Sequence, residues 1–442
     1  MLISSRAVAT LLLLAPALAS ASPLKQVYRF TDGADGGCPN GPPLLDSDGS
    51  LVVTTLCGGA NNFGTVVKLS PPNTAGKPWK VSVLANYGPD QNGFVPQGMA
   101  SDGAGGYYGA NYNGGGNFVG TLVHLVPGGN ASAPWVISPL WAFGGNSIAL
   151  AAPGAGAQTP AAGTRSLHQA ASNPGGAQPN GGLVLDSEGN IYGTTATGGS
   201  NNDGVVYMIT PGSGGTGASE TILWNFTGGT DGTSLTSGLT PDGVGGFYGR
   251  DSSGASFERG VVFHLIPPNE SSSNWTIKTL YDFTADNGEG GSDSPLLLVG
   301  NSLVGTTSDG NFGTGSAQDG GVMFMLTPDG DAQKWRPTVM WKFNGLKDGR
   351  SNRGGVLLLN NQYYTVPQLG GLPSGDSYGA LVEVHTAKTG WAEKTLVDFN
   401  GVNGNQPPGG LIASPAGVIY GVTTFGGAMG VGNVFSYTPL VP

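Results

Sequence analysis

Apolar and polar residues alternate along this chain in short runs separated by glycine, proline, asparagine and aspartate. The runs at residues 182–186, 191–195 and 205–209 show the two-residue period that predicts β-strands. A fourth run ends in an aromatic residue, Phe226. The pattern therefore predicts a unit of four antiparallel strands, A to D, without a helix.

This unit occurs seven times. The aromatic ends of the D strands lie at Phe30, Tyr87, Phe143, Phe226, Phe283, Phe343 and Phe399. The repeat predicts an all-β fold, a seven-bladed β-propeller of four-stranded antiparallel blades. The first D strand precedes any A strand and the last unit lacks a D strand. We therefore expect the N-terminal strand to complete the last blade and close the ring.

The N-terminus has the features of a secretory signal. Arg6 precedes an apolar run at residues 7–18, and an Ala-Ser-Ala motif ends at Ala21. We assign residues 1–21 to a signal peptide and residues 22–442 to one propeller domain of a secreted, extracellular, monomeric protein. An Ala/Gly/Pro-rich insertion at 144–177 lengthens the third repeat. No later stretch has the roughly 20 apolar residues of a membrane span.

Composition narrows the partners. The net charge of -10 and the pI of about 4.7 disfavour nucleic acid. Cys38 and Cys57 lie in the same unit, and in an oxidising compartment they are predicted to form a disulfide. We predict no cofactor and no metal site, and leave open a structural calcium ion.

A known repeat shares this pattern. Residues 182–195, the Gly198-Gly199 pair and the run at 204–211 resemble the GloVer-type tandem repeat of exported proteins. The resemblance covers nearly all of the mature chain. It implies a repeat scaffold and an exported location but no activity, so no catalytic residue is carried over.

Many conspicuous side chains follow the repeat and are expected to be structural. All eight tryptophans stand eight or two residues before a terminal aromatic residue, which predicts packing between blades. Asp-Gly or Asn-Gly pairs follow six of the seven terminal aromatic residues, all but Phe143, as turn formers do. His124 and His264 share one strand C position and His385 lies near the end of another, so they form neither a metal cluster nor a triad.

The candidates for function are the places where the repeat fails. A Thr-Thr pair ends strand B in four units, at 54–55, 194–195, 306–307 and 423–424. In units two, four and six it is replaced by Ala110-Asn111, Arg250-Asp251 and Val366-Pro367. Local rules often fail at functional sites, which selects Asn111, Arg250 and Asp251. Neutral drift, or an Arg-Asp pair that fills space, is the alternative.

Arginines give a second indication. Arg250, Arg259, Arg350 and Arg353 fall in the D-to-A and B-to-C loops, which are expected to surround one mouth of the central channel. Their guanidinium groups suit carboxylate or sulfate. Tyr112 is either a sugar-stacking platform or a loop anchor. His168 lies in the insertion, which is either a lid or a surface loop.

Two classes of function follow. The first is a binding module for an extracellular polysaccharide or a surface protein. The alternative is a polysaccharide lyase, with Arg250 and Arg353 neutralising a uronate and Tyr112, Tyr378 or His168 as base. A hydrolase would instead need two carboxylates, such as Asp251 with Asp293 or Asp319. Binding is favoured because no acid/base pair stands out from the residues that the repeat itself explains.

Overall fold

The computed structural model describes residues 23–74, 76–88, 93–115, 118–130, 133–144, 173–212, 217–254, 259–283, 294–308, 320–330, 334–345, 347–371 and 378–439. Within these residues the regular structure consists of β-strands alone. A search of the same residues finds no helix long and apolar enough to cross a membrane.

The strands follow the chain blade by blade, after the N-terminal strand β1 (Leu24–Arg29). Blade 1 comprises β2 (Gly37–Leu45), β3 (Leu51–Cys57), β4 (Thr65–Ser70) and β5 (Lys80–Asn86). Blade 2 comprises β6 (Phe94–Ser101), β7 (Tyr107–Asn113), β8 (Thr121–Val126) and β9 (Val136–Ala142). Blade 3 comprises β10 (Ala177–Leu185), β11 (Ile191–Thr197), β12 (Val205–Thr210) and β13 (Ser219–Asn225).

The remaining blades repeat the order. Blade 4 comprises β14 (Thr240–Pro241), β15 (Phe247–Arg250), β16 (Val261–Ile266) and β17 (Thr276–Asp282). Blade 5 comprises β18 (Leu297–Val299), β19 (Ser302–Thr306), β20 (Val322–Pro328) and β21 (Trp335–Lys342). Blade 6 comprises β22 (Leu357–Leu359), β23 (Gln362–Thr365), β24 (Ala380–Ala387) and β25 (Gly390–Asp398). Blade 7 comprises β26 (Ile412–Ala413), β27 (Ile419–Thr423) and β28 (Asn433–Tyr437).

Blade 7 takes its fourth strand from the N-terminus. Strand β1 pairs antiparallel with β28, from Leu24 opposite Tyr437 to Arg29 opposite Asn433. Each of the other six sheets contains four consecutive strands of the chain. The predicted seven-bladed propeller, closed by its N-terminal strand, is confirmed.

The hydrophobic core lies between the blades. Seven clusters of buried side chains are found in the described residues, and each combines the facing sides of two neighbouring blades. All eight tryptophans pack against these clusters. The Trp79 ring, for example, lies 6.0 Å from that of Tyr420 and joins blade 1 to blade 7. The predicted role of the tryptophans in blade packing is confirmed.

One hydrogen bond recurs in every blade and explains the aromatic period. The backbone N–H of each terminal aromatic residue donates to the carbonyl of the glycine that precedes strand C, at 3.0 to 3.2 Å. The pairs are Phe30–Gly432, Tyr87–Gly64, Phe143–Gly120, Phe226–Gly204, Phe283–Gly260, Phe343–Gly321 and Phe399–Gly379. The aromatic rings are buried, and each glycine has a positive φ that disfavours other residues. We call this contact the aromatic–glycine junction.

The junction predicts that Gly204→Ala destabilises the protein more than Gly189→Ala does. Both glycines lie in blade 3 with similar positive φ angles, of 90° and 83°. A methyl group at Gly204 would overlap the carbonyl oxygen of Thr195, whereas the space around Gly189 is open. We expect losses in the free energy of unfolding of about 3 kcal/mol or more for Gly204→Ala and about 1 kcal/mol for Gly189→Ala. Equal losses in urea denaturation would contradict this role of the junction.

The Asp-Gly turns also behave as predicted. Asp231 accepts hydrogen bonds from the Thr227 backbone N–H at 3.3 Å and from the Trp224 indole at 3.1 Å. Asp348 accepts equivalent bonds from Asn344 and Trp341 at 2.8 and 2.9 Å. These carboxylates hold the turns that follow Phe226 and Phe343, which confirms their structural role.

A disulfide reinforces blade 1 beside the ring closure. Cys38 and Cys57 are bonded, as predicted, with 5.5 Å between their Cα atoms. The Cys38 backbone N–H also donates to the carbonyl of Val431 in blade 7 at 2.7 Å. The disulfide therefore anchors a segment that contacts both sides of the closure.

We expect the Cys38→Ser/Cys57→Ser double variant to lose about 3 kcal/mol in its free energy of unfolding, the chain-entropy value for a loop of this length. Urea denaturation with and without a reductant measures the loss. The reductant should destabilise the native protein but leave the double variant unaffected. A stable reduced protein would show that the aromatic–glycine junction and the β1–β28 pairing suffice to hold the ring.

Candidate functional site

Two sets of loops form one face of the ring, which we call the channel-mouth face. The A strands of neighbouring blades contact one another, among them β2 with β6 and β6 with β10. The loops that run from D to A and from B to C are joined by backbone hydrogen bonds, such as Gly59 to Gly33 and Gly427 to Gly401, each at 2.8 Å. Candidate residues in these loops therefore belong to one rigid surface.

The two Thr-Thr positions of strand B, which we call the first and second positions, have separate structural roles. The first side chain lies at the boundary with the next blade: the Thr194 hydroxyl is 2.8 Å from the carbonyl of Asn180 in its own blade and 3.0 Å from that of Ser237 in blade 4. The second stays in its own blade: the Thr195 hydroxyl accepts the backbone N–H of Val205 at 3.1 Å. Replacements at the first position therefore act at the boundary between two blades, and those at the second change contacts within a blade.

The predicted Thr-Thr pair of blade 7 is displaced by one residue. Val422 pairs with Val434, as Thr194 pairs with Val206, so the two positions are Val422 and Thr423 rather than 423–424. Phe425 consequently occupies the place held by Thr197 in blade 3. The repeated threonine at 424 concealed this register in the sequence.

Arg250 occupies the first position in blade 4 and is entirely buried, with 0% of its surface exposed. Its guanidinium carbon lies 5.7 Å from the centre of the Phe283 ring and 5.8 Å from that of Phe324. Nη1 donates to the backbone carbonyl of Thr306 in blade 5 at 2.6 Å. Arg250 is long enough to cross the gap that threonine hydroxyls span elsewhere, so it links blades 4 and 5 from inside.

Asp251 occupies the second position and is also buried. Its carboxylate accepts backbone N–H groups from Val261, Thr233 and Gly254 at 2.5, 2.7 and 2.9 Å. Desolvation by burial raises the pKa of Asp251 to about 6, although these bonds and the charge of Arg250 oppose the rise. The carboxylate replaces the threonine hydroxyl and organises two loops of blade 4.

The raised pKa predicts a pH-dependent contribution to stability. The folded protein binds the proton more tightly than the unfolded chain does. The contribution is therefore fully present below about pH 4 and is lost as the pH rises through about 6. A shift of this size corresponds to about 3 kcal/mol. Asp251→Thr restores the residue of blades 1, 3 and 5.

The measurement is the difference in unfolding free energy, wild type minus Asp251→Thr, by urea denaturation at pH 4 and pH 7. We expect this difference to be about 3 kcal/mol more favourable to the wild type at pH 4. A difference that is the same at both pH values would show that Asp251 titrates as it does in the unfolded chain.

The other predicted residues of blades 2 and 4 lie apart from one another. Asn111 is fully buried, and its Nδ2 lies 3.4 Å from the Thr121 hydroxyl. Tyr112 is half-buried, and desolvation raises its pKa. Arg259 is half-buried and directly precedes Gly260 of the junction. Asn111 thus takes the place of a second-position threonine, while Tyr112 and Arg259 keep part of their surface exposed.

Arg350 and Arg353 are the two exposed arginines among the candidates in the described residues. They lie in the loop from blade 5 to blade 6. The backbone of Arg350 exchanges hydrogen bonds with Leu369, at 2.8 and 3.1 Å. Arg353 lies between two residues whose carbonyls, those of Asn352 and Gly354, are each 3.1 Å from the Thr306 hydroxyl. Both arginines therefore project from a fixed backbone.

The sequence did not single out the exposed apolar residues of blade 7. Val402, Phe425 and Met429 expose 73%, 40% and 66% of their surface. Phe425 exchanges backbone hydrogen bonds with Asn405 at 2.9 and 3.0 Å, the same pairing that Arg350 makes with Leu369. With the correct register of blade 7, Phe425 would have stood out in the sequence as an aromatic residue at a polar position.

The histidines of strand C have structural partners. His124 Nε2 lies 2.9 Å from Asp102 and His264 Nε2 lies 2.8 Å from Asp242. Each ring also stacks on a tyrosine of strand B. Within the described ranges, no group of three or more His, Cys, Asp and Glu side chains is arranged to hold a metal ion.

Three predicted participants, His168, Asp293 and Asp319, lie outside the described residues. The candidates that are described fall into three sectors: Asn111 and Tyr112 in blade 2, Arg250, Asp251 and Arg259 in blade 4, and Arg350 and Arg353 at blade 6. Arg250 and Arg353 are connected through Thr306.

The fold and this face define the chain as a seven-bladed β-propeller with loops open to solvent at one mouth. Residues 156–317 match the family model of the Gloeobacter/Verrucomicrobia repeat, which confirms the predicted resemblance to the GloVer-type repeat. No curated protein matches the sequence.

Solved structures resemble the chain only distantly. A PL25 ulvan lyase shares 14% identity over 92% of this chain and 94% of its own, with a TM-score of 0.48. The protein YjhT shares 13% identity over 81% and 97%, with a TM-score of 0.43. A luciferin-regenerating enzyme shares 11% identity over 94% and 95%, with a TM-score of 0.40. At such low values these likenesses do not bear on the activity of this chain.

Proposed function

We propose that the protein is a secreted module that binds an acidic polysaccharide on its channel-mouth face, in the sector formed by blades 6 and 7. The observation that carries the proposal is the exposure of Arg350 and Arg353 on a fixed loop. Guanidinium groups bind carboxylates and sulfates through paired hydrogen bonds. A uronate or a sulfated sugar is the ligand class that this chemistry favours.

The overall charge of the chain supports local rather than diffuse binding of an anion. A net charge of -10 repels a polyanion from most of the surface. Attraction is therefore limited to places where cationic side chains are exposed together. Arg350 and Arg353, three residues apart, provide such a place.

The neighbouring apolar tips complement the arginines. Phe425, Val402 and Met429 lie on the loops of blade 7. The loops that lead into blades 6 and 7 are adjacent, because Gly409 packs against the backbone of Arg353 and Gly354. Sugar rings present apolar C–H faces that pack on aromatic and aliphatic side chains, while their acid groups require cations. The sector offers both.

The backbone of the sector is already ordered. The pairings of Arg350 with Leu369 and of Phe425 with Asn405 hold both loops to their blades. Because little chain ordering is then needed on association, less of the interaction energy is lost. This rigidity suits a binding module that contacts a repetitive polymer.

The burial of Arg250 favours binding over the lyase alternative. A residue that neutralises a uronate must touch it, and Arg250 has no exposed surface. The remaining lyase arrangement would use Arg353 with Tyr378. The Tyr378 ring packs near Gly401. The backbone carbonyl of Tyr378 accepts the backbone N–H of Gln406 at 2.8 Å.

We expect Arg353→Ala and Arg350→Ala each to weaken binding of polygalacturonate or alginate roughly tenfold, because each removes charge-assisted hydrogen bonds. Isothermal titration calorimetry measures the affinity, with dextran as the neutral polymer. Arg336→Ala is the matched control: it removes an exposed arginine whose Nη2 lies 2.6 Å from Asp329 on the rim of blade 5.

If Arg336→Ala weakens binding equally, the loss of affinity comes from the change in net charge rather than from a specific site. Unchanged affinity in Arg350→Ala and Arg353→Ala would refute the site. Growth of ultraviolet absorbance from unsaturated products would establish the lyase instead. Binding without that absorbance supports the module.

A further inference from the structure

A series of hydrogen bonds crosses four blades and ends at the exposed arginine loop. The Thr194 hydroxyl of blade 3 lies 3.0 Å from the carbonyl of Ser237 and 2.8 Å from that of Asn180. The Ser237 hydroxyl donates to the carbonyl of Arg250 at 2.8 Å. Arg250 Nη1 donates to the carbonyl of Thr306 at 2.6 Å. The Thr306 hydroxyl then lies 3.1 Å from each of the carbonyls of Asn352 and Gly354 in blade 6.

The end of this series fixes the backbone on both sides of Arg353. Thr306 is fully buried, so its hydroxyl bond to the neighbouring carbonyls is protected from water. The Asn352 side chain is held as well, because its Oδ1 accepts the Thr365 hydroxyl at 2.8 Å. Gly409 of blade 7 packs against the carbonyl of Arg353. Arg353 is the exposed side chain of a segment whose neighbours are held from three blades.

We propose that Arg250 and Thr306 are positioning residues that set the direction of Arg353 toward an anionic ligand, an inference that rests on the proposed function of the blade 6–7 sector. Arg250 fixes the Thr306 backbone through Nη1, and Thr306 fixes the Arg353 segment through its hydroxyl. The arginine that breaks the repeat thus acts at a distance from the ligand, without contacting it.

This assignment explains why an arginine stands where the repeat has threonine. The threonine hydroxyl at the first position reaches a carbonyl at most one blade away, as Thr194 and Thr306 do. The Arg250 guanidinium donates to the backbone carbonyl of Thr306 in the next blade and packs over the rings of Phe283 and Phe324. The contact therefore links two first positions, those of blades 4 and 5, in one network.

The first test measures hydrogen–deuterium exchange of the segment at 350–356, which needs no ligand. Thr306→Val removes the hydroxyl of residue 306. It keeps the backbone carbonyl of residue 306, which accepts from Arg250, and it keeps the charge of Arg250. Arg250→Thr installs the residue of blades 1, 3 and 5. We expect each variant to accelerate exchange in this segment roughly tenfold, the consequence of losing about one hydrogen bond. Unchanged exchange in Thr306→Val would overturn the proposal.

Thr54→Val is the matched control. The Thr54 hydroxyl donates to the carbonyl of Asn40 in blade 1 at 2.9 Å, at the equivalent position but outside this series. It should accelerate exchange in blade 1 and leave the segment at 350–356 as in the wild type. Faster exchange at 350–356 in Thr54→Val would attribute the effect to general loosening and would likewise overturn the proposal.

The second test is a double-mutant cycle on the affinity for polygalacturonate. Thr306→Val should weaken binding roughly fivefold in the wild type and not at all in Arg353→Ala, because both act through one side chain. An equal loss in both backgrounds would overturn the positioning role. If exchange changes as expected but Arg353→Ala binds like the wild type, the series of bonds stands and the proposed binding site fails.

Discussion

The aromatic–glycine junction is the contact on which the rest of this ring depends. One backbone hydrogen bond joins the last residue of strand D to the glycine before strand C, and it is made seven times within a range of 0.2 Å, from 3.0 to 3.2 Å. It buries an aromatic ring between blades and fixes the starts of both loops of the channel-mouth face. Because the junction is made of backbone atoms and buried rings, the loops beyond it are free to vary without loss of the blade.

Closure of the ring uses the same junction rather than a special device. Phe30, at the end of the N-terminal strand, bonds to Gly432 as its six counterparts bond within their own blades. Closure also completes the hydrophobic cluster shared by blades 1 and 7, which an open array would leave exposed. The disulfide of blade 1 adds a covalent anchor beside this contact. The N-terminal strand is therefore a full member of blade 7, as its fourth strand.

The period of the aromatic residues was sufficient to predict the blades, because each aromatic residue serves the same junction. The direction of individual side chains was harder to predict. Arg250 was expected in a loop at the channel mouth, yet it lies in strand B and is buried, because the first position faces the boundary with the next blade. The sequence contains that information only indirectly, in the choice of threonine at Thr54, Thr194 and Thr306. Their small hydroxyl side chains suit a buried contact with a carbonyl.

The displacement in blade 7 has a different physical cause. Thr423 and Thr424 both match the repeated pair, and only the ladder of β27 and β28 shows which alignment the backbone adopts. A slip of one residue moves every side chain to the opposite face of a strand. In the alignment that matches Thr423-Thr424 to the Thr-Thr pairs, Phe425 falls at a position that is apolar in blades 1 and 3, where the residues are Leu56 and Ala196. Its exposure was therefore unpredictable without the pairing of Phe425 with Asn405.

The candidate residues separate into two groups according to whether their side chains are buried or exposed. The insertion after Phe143 removes the turn aspartate of that repeat, and the Trp141 indole instead bonds Glu220 of blade 3, whose pKa burial raises to about 8. The carboxylate of Asp251 likewise accepts three backbone N–H groups. Such residues repair the scaffold. Arg350 and Arg353 differ because they face solvent on a backbone that other residues hold in place. A deviation from the repeat is therefore informative about ligand binding when its side chain is exposed and its backbone is fixed.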